Sequence, residues 1–536
     1  MPIDYATCAP ELVPYNSEWR GEGRLVGPKW PIALVSSLAA LIAVLDVSVV
    51  NVALPSIRAS IGASLQDTSW ITTGYIVSNI IIIPMTGFFQ RRFGYRSYFA
   101  GSLLLFTAAS LLCATAWSLP SIVLFRCLQG LGGGALIPTA SSVMLDRFPR
   151  AERGMAMAMF GLGAMTGPLL GPSVGGWLTD QFSWHMIFLI NIPFGAVELF
   201  LMLSILREDR SQVERVPVDA WGIAWLIGWL ATMQYVLEEG NTQDWFASKE
   251  ISVLAFISLT FFFLFVEREL TMPYPVVQLK FFRDRQYLTG TLVNMGVGVA
   301  LFGSIYVFSL FCGVLMGYTA GQTGALIFKA ALLQGFTMPL IGRFGSKLDA
   351  RVLVGFGVVM LILSLAQNSM LTGQEDSWQL VVPQLTRALG MGAIIIPVST
   401  LAIDGVAARD VGDAMGVFSL TRELGGSLGT AGLATLITRQ TAYHQQRLSE
   451  AISTVSVAGQ ARLAMTQQMF TSRLGDPLRA HGLAEQFMGG MVARQSLLLA
   501  FDDAFAMSTC IAIGMFVVVL TMRKPTVTGG GMAGGH

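Results

Sequence analysis

The chain has 536 residues, of which 53% are hydrophobic and 12% charged, with a mean hydropathy of +0.61, so water is excluded as the main solvent of its fold. A formal net charge of +1 argues against a nucleic-acid partner. Five cysteines at Cys8, Cys113, Cys127, Cys312 and Cys510, without a CxxC pair, exclude a disulfide framework and a cysteine metal site.

The first thirty residues carry Asp4, Glu11, Glu18, Glu22 and several prolines, so they lack the layout of a cleavable signal and read as a soluble tail, 1–31. About fourteen apolar stretches follow, each near the roughly twenty residues that cross a hydrocarbon core. They run near 32–52, 70–90, 97–117, 119–140, 153–178, 185–206, 219–238, 250–268, 287–313, 320–342, 351–371, 379–402, 415–438 and 504–522. Short loops on one side are rich in arginine and lysine: Arg91, Arg92, Arg96; Arg147, Arg150, Arg153; Arg207, Arg210, Arg215; Lys280, Arg283, Arg285; Arg343, Lys347, Arg351. The positive-inside rule makes that side cytoplasmic, together with both termini. The opposite loops hold Arg58, Lys249 and the acidic pairs Glu238–Glu239 and Glu375–Asp376, and one long external connection, 439–503.

Charges inside spans are costly, at least about 2.5–3.5 kcal/mol each at mid-bilayer, and are kept mostly where they act. Span one has the lone acid Asp46, span four Arg126, span ten Lys329, span twelve Arg387, and span thirteen the neighbours Arg422 and Glu423. Each also has an ordinary reading: a hydrogen-bonded acid, a structural arginine, a snorkelling lysine, a self-neutralising pair. Glu198 in span six reads first as structural. Span five departs from the Leu, Ile and Val of its neighbours through a spine of Gly163, Gly167, Pro168, Gly171, Pro172, Gly175 and Gly176. Such small-residue spines allow close helix approach, and here a hinge and seal at the domain interface is the sharper expectation.

Asp146, Gly154, Ala156, Met157, Phe160, Gly167 and Gly171 repeat at one constant offset as Asp404, Gly412, Ala414, Met415, Phe418, Gly425 and Gly429. Duplicated halves are a plan of secondary transporters, with the substrate site between them near the midplane. The division expected is a six-helix bundle 32–206, a linker 207–286 with two inserted transmembrane helices, a second six-helix bundle 287–522 including the loop 439–503, and a cytoplasmic tail 523–536. The connector 272–282, MPYPVVQLKFF, is expected along the cytoplasmic surface. In the long loop, Leu463, Met469, Phe470 and Leu474 have helical spacing, and Gly475–Asp476–Pro477 breaks the run before a second apolar stretch from Leu483 to Met491. Two amphipathic helices extending spans thirteen and fourteen are expected.

LDVSVVNVALP (45–55), LFRCLQGLGGG (124–134) and the span-five run GLGAMTGPLLGPSVGGWL (161–178) resemble motifs of the major facilitator superfamily, in its fourteen-helix drug:proton antiporter family of EmrB/QacA type. WHMIFLINIPFG (184–195), DWFASKEI (244–251) and IGRFGSKLDAR (341–351) are most similar to the EmrB branch. The resemblance implies an all-α polytopic fold of two six-helix bundles plus two inserted helices in the bacterial inner membrane, and a proton-coupled exporter of hydrophobic or amphipathic drugs. It also implies a periplasmic membrane-fusion adaptor (EmrA-like) docking on 439–503 and an outer-membrane channel (TolC-like). Asp46, Arg126 and Glu423 become candidates for proton coupling, and Gly87, Arg91, Arg92, Gly94 and Arg96 form the cytoplasmic loop motif. That motif usually has an acid where this chain has Arg91, so its gating salt bridge cannot be carried over, although EmrB-like sequences are also basic there. A cavity between the halves is assigned Tyr75, Asn79, Asn294, Tyr306, Lys329, Gln334, Arg387 and Arg422; Lys329 there would favour weakly acidic substrates.

Enzyme chemistry is not expected: His185, His444, His481 and His536 are dispersed, no Walker-type loop is present, and no cofactor beyond a proton gradient is called for. A facilitator, or an exporter of one metabolite working without an adaptor, is the alternative.

Overall fold

The computed structural model describes residues 25–26, 28–149, 152–208, 217–344, 348–407, 410–451, 457–474 and 476–522. Most of the N-terminal tail, all of 523–536, and Arg150, Arg210, Arg215, Lys347 and Gly475 lie outside the described residues.

Every expected span is a helix. In chain order they are α1 Lys29–Ile61, α2 Trp70–Phe93, α3 Tyr95–Ala114, α4 Leu119–Arg147, α5 Arg153–Gln181, α6 Met186–Ile205, α7 Ala220–Glu239 and α8 Lys249–Thr271. Then come α9 Arg285–Leu315, α10 Ala320–Phe344, α11 Ala350–Asn368, α12 Ser377–Ile403, α13 Val411–Ala451, the short α14 Val457–Leu474, and α15 Pro477–Leu520. Twelve are long and apolar enough to cross a membrane. The glycine-rich α5 and α13 are of comparable length or longer and complete the fourteen expected spans.

Polar residues in the loops set the helix starts. Ser118 and Ser121 close a capping box on α4, as Asp376 and Gln379 do on α12, while Asp284 and Asp349 accept the first free amides of α9 and α11. Large apolar side chains such as Phe200, Phe256 and Phe336, each about 70% exposed, point outward and require an apolar solvent. The only strand pairing among the described residues joins Leu25–Val26 to Arg207–Glu208.

The two halves meet at the arginine-rich end. There α2 packs on α13, and α5 on α10, where Gly154 and Gly342 lie backbone to backbone. The hairpin α7–α8 packs on itself through Trp229 against Phe262 and Phe265. It also leans on both halves: Tyr235 rests on Trp70 of α2, and Trp245 Nε1 donates to Thr435 Oγ1 of α13 at 2.8 Å. At its base Arg268 grips Asp219 through three hydrogen bonds of 2.9–3.2 Å, which hold that carboxyl below its ordinary range.

At the opposite end α13 and α15 run 41 and 44 residues, roughly 60 and 65 Å at 1.5 Å per residue. That is about twice the hydrocarbon thickness, so both helices project well beyond it. Between them α14 packs on the start of α15, with Phe470 edge-on to Phe487 at 6.0 Å. The chain break expected at 475–477 is the N-terminus of α15, where Asp476 accepts from Leu478 N and Arg479 N and Pro477 occupies the first turn.

The connector 272–282 differs from its expected place along the surface. Val276, Val277 and Phe281 are buried, Val277 N donates to Glu269, and Gln278 Nε2 donates to Asp413 at 3.0 Å. Its apolar residues find protein rather than the interface, because the two halves converge over them.

Candidate functional site

Four helices bring one polar cluster together in the interior of the N-terminal half. From α1, Asp46 places Oδ2 2.6 Å from Arg126 Nη1 of α4, with both side chains fully shielded from solvent. Its second oxygen, Oδ1, accepts from Gln129 Nε2 at 2.8 Å and from Asn191 Nδ2 of α6 at 2.7 Å. Gln129 follows Arg126 by one helical turn, so its own carbonyl accepts from Arg126 Nη1 at 2.8 Å. Ser110 of α3 accepts from both amides and donates to Phe188 O at 3.0 Å. Arg126 Nε donates to Ile71 O, and its guanidinium lies 4.2 Å from the centre of the Tyr75 ring.

This arrangement has definite chemistry. A buried ion pair is stable only while both charges and their remaining hydrogen-bonding groups are satisfied. Protonating Asp46 would remove the countercharge of Arg126 and release up to three donors at once. The contacts among α1, α3, α4 and α6 in this cluster thus all depend on the charge at Asp46.

Asp46 and Arg126, singled out separately in the sequence, are therefore in direct contact. Glu423 is not with them: it forms a weak pair with Arg422 on its own helix, 3.4 Å apart and about a quarter exposed, as the self-neutralising reading expects. Tyr75, expected at the substrate cavity, is 2% exposed and serves as the face against Arg126. Asn294 is likewise engaged elsewhere, donating to Phe418 O of α13 at 2.6 Å. Asn79 and Tyr306 are half-buried.

In the C-terminal half, Arg387 of α12 is buried, and its Nε has no hydrogen-bond partner among the described residues. Gln334 of α10 is also buried with a free Nε2. Lys329 departs from them. It is exposed on the stripe of α10 that carries Leu332, Phe336 and Leu340, about 140° around the helix from Gln334, because five residues at 100° each separate the two. Its long stem reaches the surface, so it does not join the buried polar set.

The glycine spine of α5 also has a different neighbour from the one expected. A Cβ at Gly163, Gly167, Gly171 or Gly175 would run into Ser37, Val44–Leu45, Ser48 or Val49, all on α1. The spine seats α5 against α1 inside one bundle, while contact with the other half comes from Gly154, Ala158, Gly161 and Leu162 on another face. Gly176 faces open space. Pro168 and Pro172 lie within the continuous helix.

At the arginine-rich end, where no gating bridge could be carried over from the resemblance, the structure has an ion pair of its own. Arg91 forms an ion pair across the halves with Asp413 of α13, both buried, and its Nη2 donates to Pro275 O at 3.4 Å. Gly87 makes the approach possible, since a Cβ there would collide with the backbone of Asp413. The basic residue changes the sign of the pairing rather than removing it, because the partner on α13 is an acid. Arg96 reaches Leu203 O at 2.7 Å, and Arg92 lies over the Phe93 ring. Gly94, at φ +83°, makes the sharp link from α2 to α3.

Gln129, Asn191, Ser110 and Asp413 were not identified from the sequence as site residues. Gln129 had one available signal, its position one turn from Arg126.

Comparison with known proteins agrees with this architecture. The Major Facilitator Superfamily profile matches residues 36–430. The multidrug export protein EmrB of Haemophilus influenzae is 30% identical over 495 residues, covering 92% of this chain and 96% of that protein. The fatty acid resistance protein FarB of Neisseria gonorrhoeae is 29% identical over 500 residues, covering 93% and 97%. Among solved structures, the human organic anion transporter MFSD10 superposes with a TM-score of 0.59 at 14% identity, covering 91% of this chain and all of that one, a likeness of fold.

Proposed function

We propose that this chain, which belongs to the Major Facilitator Superfamily, is a proton-coupled antiporter of the bacterial inner membrane that exports hydrophobic or amphipathic compounds. The observation that carries the coupling is the Asp46–Arg126 pair with its three amide and hydroxyl supports. Protonation would discharge the acid and loosen the cluster; loss of the proton would restore it. That is a two-state element which a proton gradient can bias.

Export is supported by the relatives, named for multidrug export and fatty acid resistance and matched along nearly their whole length. Within the C-terminal half, the buried Arg387 and the free amide of Gln334 would give an acidic amphiphile a cationic and a polar anchor, with Asn79, Tyr306 and Arg422 as further candidates. Lys329 has no part in this reading. The projecting ends of α13 and α15 with α14 form the surface on which a periplasmic adaptor would dock, passing substrate to an outer-membrane channel.

Two experiments test the proposal. A thermal-shift screen of purified protein over acidic, neutral and cationic hydrophobic compounds should identify ligands, which are then followed in vesicles under an imposed pH gradient. Asp46→Asn should abolish pH-driven efflux and leave binding detectable; undiminished efflux would remove Asp46 from the coupling. Deleting about residues 457–474 should preserve vesicle transport but abolish resistance in cells with an outer membrane. Loss of vesicle transport with adaptor binding intact would instead make the segment part of the transporter's own gate.

A further inference from the structure

Glu198 is the only charged residue of α6, and it is 1% exposed. Neither of its carboxyl oxygens has a hydrogen-bond partner among the described residues. It lies on the buried stripe Asn191, Gly195, Glu198, Met202, with spacings of four, three and four residues, which is one face of a helix. At one end of the stripe Asn191 donates to Asp46. Glu198 is seven residues on, roughly 10 Å along the axis toward the arginine-rich end. One turn further, Met202 lines a small cavity whose other walls are apolar apart from Ser36, so it gives Glu198 no hydrogen-bonding partner. Ser36 Oγ, in that wall, also lacks a partner.

The charged groups on α1 and α3, the helices that pack along α6, are engaged elsewhere or lie at the far end. On α1, Lys29 pairs with Glu152, Asp46 pairs with Arg126, and Arg58 sits in the last turn at the far end. On α3, Arg96 donates to Leu203 O, Tyr95 approaches Gly412 of α13, and Tyr98 stacks on Phe89 of α2. Cys113 points to Gln129. An ionised Glu198 would have neither countercharge nor donor, and burying a bare carboxylate costs far more than neutralising it.

We propose that Glu198 is a second proton-carrying group of the transport cycle, a neutral acid in this conformation, on the same face of α6 as the Asn191 that supports the Asp46 cluster. The inference rests on the proton-coupled reading above. In the step it adds, the arginine-rich end opens, the O–H bond of Glu198 breaks and its proton passes to water admitted from that side. A proton taken up from the opposite side restores the acid in the next cycle, so Asp46 and Glu198 each move one proton per cycle. Asp46 and Glu198 divide the task because one is ionised and paired while the other is neutral and unpartnered.

The full-length protein allows a direct test. Infrared spectra at pH 7 should contain the carbonyl band of a neutral carboxylic acid that disappears in Glu198→Gln. Because Gln is nearly isosteric with the neutral acid, Tm should be unchanged. In vesicles with the membrane potential clamped at zero, and a transported dye lacking any titratable group, the logarithm of the steady-state dye gradient rises with the pH difference. Its slope counts protons per dye, and in Glu198→Gln it should fall by one. An unchanged spectrum, a clear loss of Tm, or an unchanged slope would overturn the assignment of Glu198 while leaving proton coupling intact. A wild-type protein with no pH-driven transport would overturn the coupling itself, and this step with it.

Discussion

Asp46 and Arg126 sit beyond the reach of water, so each is stable only because the other is present. Removing one partner of a buried pair strands the other charge, at a cost of roughly 3–5 kcal/mol. Arg126→Ala should therefore lower thermal stability markedly. The double variant Asp46→Asn, Arg126→Gln should recover much of the loss, since two neutral amides of similar volume leave no charge buried. Thermal unfolding of the four proteins in a double-mutant cycle measures the coupling, and additive losses would contradict the pairing. Arg126→Lys should not substitute, because a point ammonium cannot address Asp46, Gln129 and the Ile71 carbonyl from one planar fork. Both charges were legible in the sequence because ionisable residues in apolar spans are rare. Their contact was not, for it depends on how α1 and α4 are rotated toward one another. Ser110 and Asn191 were still less visible, since uncharged polar residues occur throughout these spans and only helix rotation selects the ones that serve the pair.

The existence of most helices followed from apolar length, that of α14 from the spacing of its apolar residues, and the break before α15 from Asp476 and Pro477, a signal that acts within one turn of chain. Which face of a helix meets which neighbour depends on tertiary packing, and there the reading of α5 went astray. Its glycines were correctly seen as an approach surface, but the surface approached is α1. The consequence is testable at the element scale. Gly163→Ala places a methyl against the Ser37 carbonyl, and since backbone cannot give way as a flexible side chain can, α5 must shift from α1. The expected loss is about 1–3 kcal/mol, typical of overpacking. Gly176→Ala meets no atom and gains helix propensity of up to about 1 kcal/mol. A fall in Tm for the first and none for the second would locate the spine's function inside the bundle, whereas equal effects would deny it.

Across the whole molecule, the duplicated halves touch at the arginine-rich end through α2 with α13 and α5 with α10, and the Arg91–Asp413 pair lies in the first of these contacts. The internal repeat made two halves legible, but not the latch. A motif departure at Arg91 signals loss of a bridge only if the opposite residue is fixed, and Asp413 lies more than three hundred positions away in sequence. The pair bears on which state the transporter rests in. Taking a two-state equilibrium from 1:99 to 99:1 requires about 5.5 kcal/mol, and stranding one buried charge costs roughly 3–5 kcal/mol, so reversing Arg91 alone should shift most of the population. Spin labels at the exposed positions Phe93 and Leu348, one on each half, would report the separation of that end. Arg91→Glu should lengthen the distance distribution by placing two acids face to face. Adding Asp413→Arg should restore the short distance, because the swapped pair has the same attraction. If Arg91→Glu left the distribution unchanged, the pair would be incidental to closure and the glycine contacts at Gly87 and Gly154 would be sufficient to hold that end together.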